Sequence, residues 1–185
     1  TTHPTSLSYL YTFAGTGAAA SSGDGGLAAF GSFNFPSGLS VVTEKLTKTT
    51  FVYISEQIGC RVRKINVEDG IVSTVVGTGT CSSSAGDSVV ATQTTLDFPR
   101  GIWVDGSAGG GIYIAEYGGH RVRYVNSSSG TIHAFAGTGT AGVSGDGGPA
   151  TAARLLNPIQ IVGDEGSGSA SASGGNIYIS DFGDH

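Results

Sequence analysis

The phrase Ala14-Gly15-Thr16-Gly17 returns as Val76-Gly77-Thr78-Gly79 and again as Ala136-Gly137-Thr138-Gly139, 62 and then 60 residues further along. A chain that repeats itself at so regular an interval is a tandem array, and each unit has to solve the same folding problem as its neighbours. The rest of the unit recurs in register. Ser22-Gly23-Asp24-Gly25-Gly26 reappears as Ser144-Gly145-Asp146-Gly147-Gly148, with Ala85-Gly86-Asp87 a degraded middle copy. Phe35-Pro36 aligns with Phe98-Pro99 and Asn157-Pro158, and Tyr53-Ile54-Ser55-Glu56 with Tyr113-Ile114-Ala115-Glu116 and Tyr178-Ile179-Ser180-Asp181. Arg61-Val62-Arg63 aligns with Arg121-Val122-Arg123.

Within one unit the periodicity is that of strands. Arg100 to Asp105 is a short apolar run after a proline, and Gly111 to Ala115 is a second. Arg121 to Asn126 alternates polar and apolar residues, as a half-buried strand does, and Thr131 to Ala136 follows a Ser128-Ser129-Gly130 turn signal. Four strands in sequence, here termed a to d, followed by a Gly-rich connector of some 20 residues, describe one blade of a β-propeller. The 32 glycines, the absence of Met and the 12% of charged residues suit short strands and turns rather than helices. No apolar stretch is long enough to span a bilayer as a helix, and a net charge of −5 disfavours nucleic acid as a partner.

These residues resemble the NHL repeat, a β-propeller family. The resemblance rests on Phe98-Pro99-Arg100-Gly101-Ile102-Trp103-Val104-Asp105, Tyr113-Ile114-Ala115-Glu116, Gly119-His120-Arg121-Val122-Arg123 and Ala136-Gly137-Thr138-Gly139, with a Gly-Asp-Gly-Gly-Pro-Ala-Thr-Ala-Ala connector at 145–153. It covers nearly the whole chain. The departures are Cys60, the eroded connector at 84–88 and long inserts between strands a and b. The resemblance implies an all-β propeller, usually six-bladed, of which residues 1–185 form one region with repeat boundaries near 18–79, 80–139 and 140–185. With residues 7–14 taken as a strand d, the expected order is d-abcd-abcd-ab. That is too few blades to close a ring, so closure would need further residues or joined copies.

Comparison between repeats singles out the two cysteines. Cys60 occupies the position of His120 and His185, and Cys81 that of Ala19 and Ala141. Cys60 precedes the strand beginning at Arg61 and Cys81 follows the strand ending near Val76. If those strands pair, the cysteines meet at the open end of a hairpin. A disulfide and an oxidising compartment are expected, the alternative being two buried thiols in a reduced protein.

Blade geometry places the d-to-a and b-to-c links on one face, with Asp24, Asp87, Asp146, Cys60, His120 and His185. The opposite face receives Asn126-Ser127-Ser128, the chain's one N-glycosylation sequon, and the low-complexity loop of 166–175. Ser167, Ser169, Ser171 and Ser173 in that loop are O-glycosylation candidates, a plain linker being the alternative. The Arg-Val-Arg copies suggest structural ion pairs, Glu56 with Arg61 and Glu116 with Arg121, rather than a nucleic-acid surface. Each Gly-Asp-Gly-Gly turn is expected to be an Asx-turn rather than a Ca²⁺ site, because one Asp supplies few of the six to eight oxygens that ion takes. Gly137-Thr138-Gly139-Thr140-Ala141-Gly142 has the spacing of a dinucleotide-binding loop, but the following Gly-Asp-Gly-Gly-Pro breaks the helix such a site needs.

No catalytic residue, metal or cofactor is expected from these patterns. The function expected is that of an extracellular, non-enzymatic scaffold or binding module, possessing protein partners or self-association, with covalent glycans as a component of a surface or filamentous assembly. The alternative is part of an NHL-like enzyme, a metal-dependent lyase or lactonase whose channel ligands lie mostly outside this chain. Asp105 and Asp164 are the carboxylates offered by the leading-strand segments.

Overall fold

The computed structural model describes residues 11–44, 47–83, 86–107, 110–164 and 176–183. The fold is all-β with antiparallel sheets. β1 (Pro36–Thr43), β2 (Thr50–Glu56), β3 (Arg61–Asn66) and β4 (Val72–Val76) form the first sheet, paired in chain order. In the second, β5 (Val89–Val90) is an extra outer strand. It precedes β6 (Pro99–Val104), β7 (Gly111–Glu116), β8 (Arg121–Asn126) and β9 (Thr131–Ala136), and the spatial order is β5-β9-β8-β7-β6. β10 (Pro158–Gly163) and β11 (Ile177–Asp181) pair as the third. The strands of the first two sheets thus match the four-strand unit read from the sequence. The described part of the expected strand at 7–14, residues 11–14, carries no strand.

Each sheet is two-faced because side chains alternate along its strands. Ile102, Val104, Ile114 and Ile132 of the second sheet pack with Val62 and Val76 of the first. Tyr113, Ala115 and Ala136 turn the other way and meet Ile161 of the third. The leading strands β1, β6 and β10 stand next to one another. Glycine is what lets them approach: a Cβ on Gly38 would lie 2.3 Å from the Arg100 carbonyl oxygen, and one on Gly101 would lie 2.5 Å from that of Ile159.

The connectors are more ordered than their composition suggests. The first two leave the Gly-Thr-Gly turn and run along the outer edge of the following sheet before crossing to its leading strand. Gly25 N donates to Val72 O (2.8 Å) and Val72 N to Gly26 O (3.0 Å) in the first. In the second this edge pairing is β5 on β9. Each connector also contains a single 3₁₀ turn, at Ala28–Phe30, Ala91–Gln93 and Ala150–Ala152. The residue before each proline, Phe35, Phe98 or Asn157, takes a positive φ (58°, 48° and 65°), which turns the chain sharply into the leading strand.

Candidate functional site

The ionisable residues of the repeat collect where strands b and c meet the connector. Glu56 and Glu116 end β2 and β7, and both are fully buried. Each accepts a backbone N–H from the turn ahead of the leading strand: Asn34 N to Glu56 Oε1 (3.0 Å) and Asp97 N to Glu116 Oε1 (2.9 Å). Asp181 does the same for Leu156 N (2.6 Å). The acidic residue after Tyr-Ile-Ser/Ala therefore fixes the turn in all three repeats. Burial pushes the carboxyl groups of Glu56 and Glu116 above the usual range, and their arginine and N–H partners offset only part of that.

Between these carboxylates and the connector lie Arg63 and Arg123, 1% and 0% exposed. Arg63 Nη1 is 3.5 Å from Glu56 Oε1, while Nη2 reaches Asp24 Oδ1 at 2.7 Å and the Ser22 carbonyl at 3.1 Å. Asp24 Oδ2 accepts from Thr74 Oγ1 at 2.7 Å. Arg123 repeats the arrangement, with Nη2 on Gly86 O (2.9 Å) and Asp87 Oδ1 (3.4 Å), while Ala134 N donates to Asp87 Oδ1 at 2.7 Å. A buried guanidinium held by carboxylates on both sides ties two strands to the connector that flanks them.

This geometry corrects two expectations. The Glu116–Arg121 pair forms, through Arg121 Nε and Glu116 Oε2, and Arg121 also donates to Ser83 O (3.1 Å). Glu56 pairs with Arg63 instead of Arg61. The Arg61 guanidinium lies against Gly79 and donates to Thr78 O at 2.9 Å. The bare Gly79 gives it room there, and the turn carbonyl satisfies it. Asp24 and Asp87, in turn, are arginine anchors along the sheet's outer edge rather than self-contained Asx-turns on a terminal face. Sequence reasoning missed Arg63 and Arg123 as the anchors. The signal was present in the joint recurrence of connector Asp and the second arginine of Arg-Val-Arg.

Cys60 and Cys81 form a disulfide with their Cα atoms 5.3 Å apart. It joins the β2–β3 turn to the connector that builds the second sheet, where Ser82 N donates to Leu96 O (3.0 Å). Cys60 (φ 47°) and His120 (φ 49°) share the left-handed conformation. His120 makes the corresponding tie without covalent chemistry, its Nδ1 accepting from Asn157 N at 3.2 Å. One position, in two chemistries, fastens a turn to the next repeat.

Asn126 ends β8, and its Oδ1 accepts from Ser128 N (2.9 Å) and Ser129 N (3.1 Å). It borders a cleft of about 720 Å³ between the first and second sheets, which Asp105, Glu44 and Lys64 also line. Ser167, Ser169, Ser171, Ser173 and His185 lie outside the described residues. Gly137 to Gly142 is followed by no helix beyond the three-residue 3₁₀ turn. Among the described residues no three His, Cys, Asp or Glu side chains come together to hold a metal, and no helix is long and apolar enough to cross a membrane.

No family model matches the chain, and no curated protein matches it. Among solved structures it is similar to a protein of unknown function from Bacteroides thetaiotaomicron, at 22% identity and a TM-score of 0.53 over 66% of this chain and 29% of that one. An auxiliary nutrient binding protein from the same organism is 19% identical with a TM-score of 0.53, over 77% of this chain and 34% of that one. Another from Bacteroides ovatus is 18% identical with a TM-score of 0.50, over 68% and 32%. At such identities the likeness concerns the fold alone. The chain spans about a third of the length of these structures.

Proposed function

We propose that the chain is an arc of an NHL-type β-propeller acting as an extracellular, non-enzymatic binding or scaffold module. The observation that carries this is the Cys60–Cys81 disulfide, which locks one repeat to the connector of the next and is a bond favoured in oxidising compartments. The order of strands and the adjacency of β1, β6 and β10 support the propeller part of the reading. Arg63 and Arg123 are buried in structural ties, so the recurring Arg-Val-Arg motif has little to offer a phosphate backbone. Two of the similar solved structures are described as auxiliary nutrient binding proteins, in keeping with a binding role. Asn126 ends β8 at an exposed turn, where a glycan has room.

The test is the intact mass of protein isolated from its own cells, with thiol labelling before and after reduction and with glycosidase treatment. The proposal expects no label without reductant, two labels after it, and a mass that falls on deglycosylation with conversion of Asn126 to Asp. Two reactive thiols in the untreated protein together with a bare-chain mass overturn it.

A further inference from the structure

The face that the second sheet turns to the third is filled ring on ring. The Tyr113 centroid lies 5.3 Å from Trp103, 4.9 Å from Tyr124 and 4.9 Å from Phe135. The repeat register puts Ser40, Tyr53, Lys64 and Val75 at the same four positions on the face that the first sheet turns to the second. One ring is kept and three are replaced by smaller or thinner side chains. Two of these replacements, Lys64 and Val75, line a cleft of about 720 Å³ between those two sheets, with Val42, Val104 and Val125 also in its walls. Its size falls within the usual span of ligand sites.

Charge in this cleft is unevenly committed. Glu44 Oε2 accepts from Thr47 Oγ1 (2.9 Å), and Asp105, 6% exposed, accepts from Ser107 N (2.8 Å) and Ser107 Oγ (2.9 Å). The Lys64 ammonium has no such partner among the described residues. It rests 3.5 Å from the Phe51 ring centroid and 5.7 Å from that of Tyr53. Burial lowers its pKa despite the field of Glu44, as expected for a cation short of compensation. The Tyr53 phenol, pushed up to about 12 by burial, remains a hydroxyl donor at neutral pH. What Lys64 lacks is therefore a direct partner, the two carboxylates of the cleft being engaged by Thr47 and Ser107, and what the walls can cover is hydrocarbon.

We propose that this cleft binds a small carboxylate with an apolar aliphatic or aromatic body, its anionic end on Lys64 and its body against the valines. The site arises from a difference between two repeats and does not depend on the propeller or on the scaffold role. The test is calorimetric titration of the full chain with octanoate and phenylacetate, each beside its neutral alcohol, octanol and 2-phenylethanol. Saturable binding of at least one acid is expected, weaker by about tenfold for the alcohol and by about tenfold in Lys64→Met. Lys64→Arg should keep the affinity within about threefold. Val75→Phe, which places at a lining position the ring that the second repeat carries there, should weaken binding by about tenfold or more. The proposal fails if neither acid saturates, if acid and alcohol bind the parent chain alike, or if a folded Lys64→Met binds the acid as the parent does. The acid–alcohol comparison needs no variant, so a misfolded substitution leaves the proposal open to refutation.

Discussion

Arg63 and Arg123 are among the largest side chains removed from water in this protein, and each serves to hold three segments at one point. Removing Arg63 leaves the buried Glu56 with no cation in direct contact. Arg63→Met should cost about 3–5 kcal/mol, whereas Arg61→Ala, which gives up one exposed contact to a turn carbonyl, should cost under about 1 kcal/mol. Urea midpoints of the two variants check the contrast, and equal losses would show that the buried tie is ordinary. The tyrosines give a pH test. Burial pushes Tyr53 and Tyr113 from the usual 10.0 to about 12. An acid raised in the folded state contributes stability that is complete below its unfolded pKa and is lost as pH climbs through the folded one. Stability should accordingly decline between pH 10.0 and about 12, with phenolate absorbance lagging behind that of the unfolded chain. Tyr113→Phe should shallow the decline; an unchanged slope would argue against it.

At the scale of elements, a close approach between leading strands occurs where Gly101 faces the Ile159 carbonyl. Gly101→Ala places a carbon 2.5 Å from that oxygen and 2.7 Å from the Gln160 Cα, so β6 and β10 must separate. A loss of about 1–3 kcal/mol is expected from such overpacking, measurable as a fall in melting temperature. Gly147→Ala, with nothing within 4 Å, makes the comparison, although its φ of 75° carries a strain of its own. The strands themselves were legible, because alternation and turn residues report a half-buried pleat directly. β6 to β9 fall within a residue or so of their expected bounds. The connectors were not. Their glycines announce turns, but β5 depends on backbone pairing with a strand about 40 residues further on, which leaves no local pattern. Arg61 failed for a related reason: its spacing from Glu56 equals that of Arg121 from Glu116, so spacing does not reveal that Arg61 turns to the Thr78 carbonyl instead.

For the whole molecule, the clearest device is the covalent tie between repeats. The disulfide closes a loop with a sequence separation of 21, for which chain-entropy reasoning gives about 3 kcal/mol. Cys60→Ala with Cys81→Ala should lower the urea midpoint by a corresponding amount, and reductant should lower the parent's midpoint but not the double variant's. This bridge was readable from the sequence because the repeat serves as its own alignment, marking two substitutions confined to one unit. The cleft was not readable, since it consists of volume missing between side chains from different sheets.

The loop closed by Cys60 and Cys81 contains β3, β4 and the exposed turn at Val67, Glu68 and Asp69 between them. A protease that cuts at that turn opens the backbone without parting the protein. The fragments on either side stay joined through sulfur, held in addition by the ladder of β3 on β4 and by Thr74 on Asp24. Nicked protein should run as one species on a non-reducing gel and as two after reduction. Where proteases are abundant, damage at this exposed hairpin would leave the molecule whole.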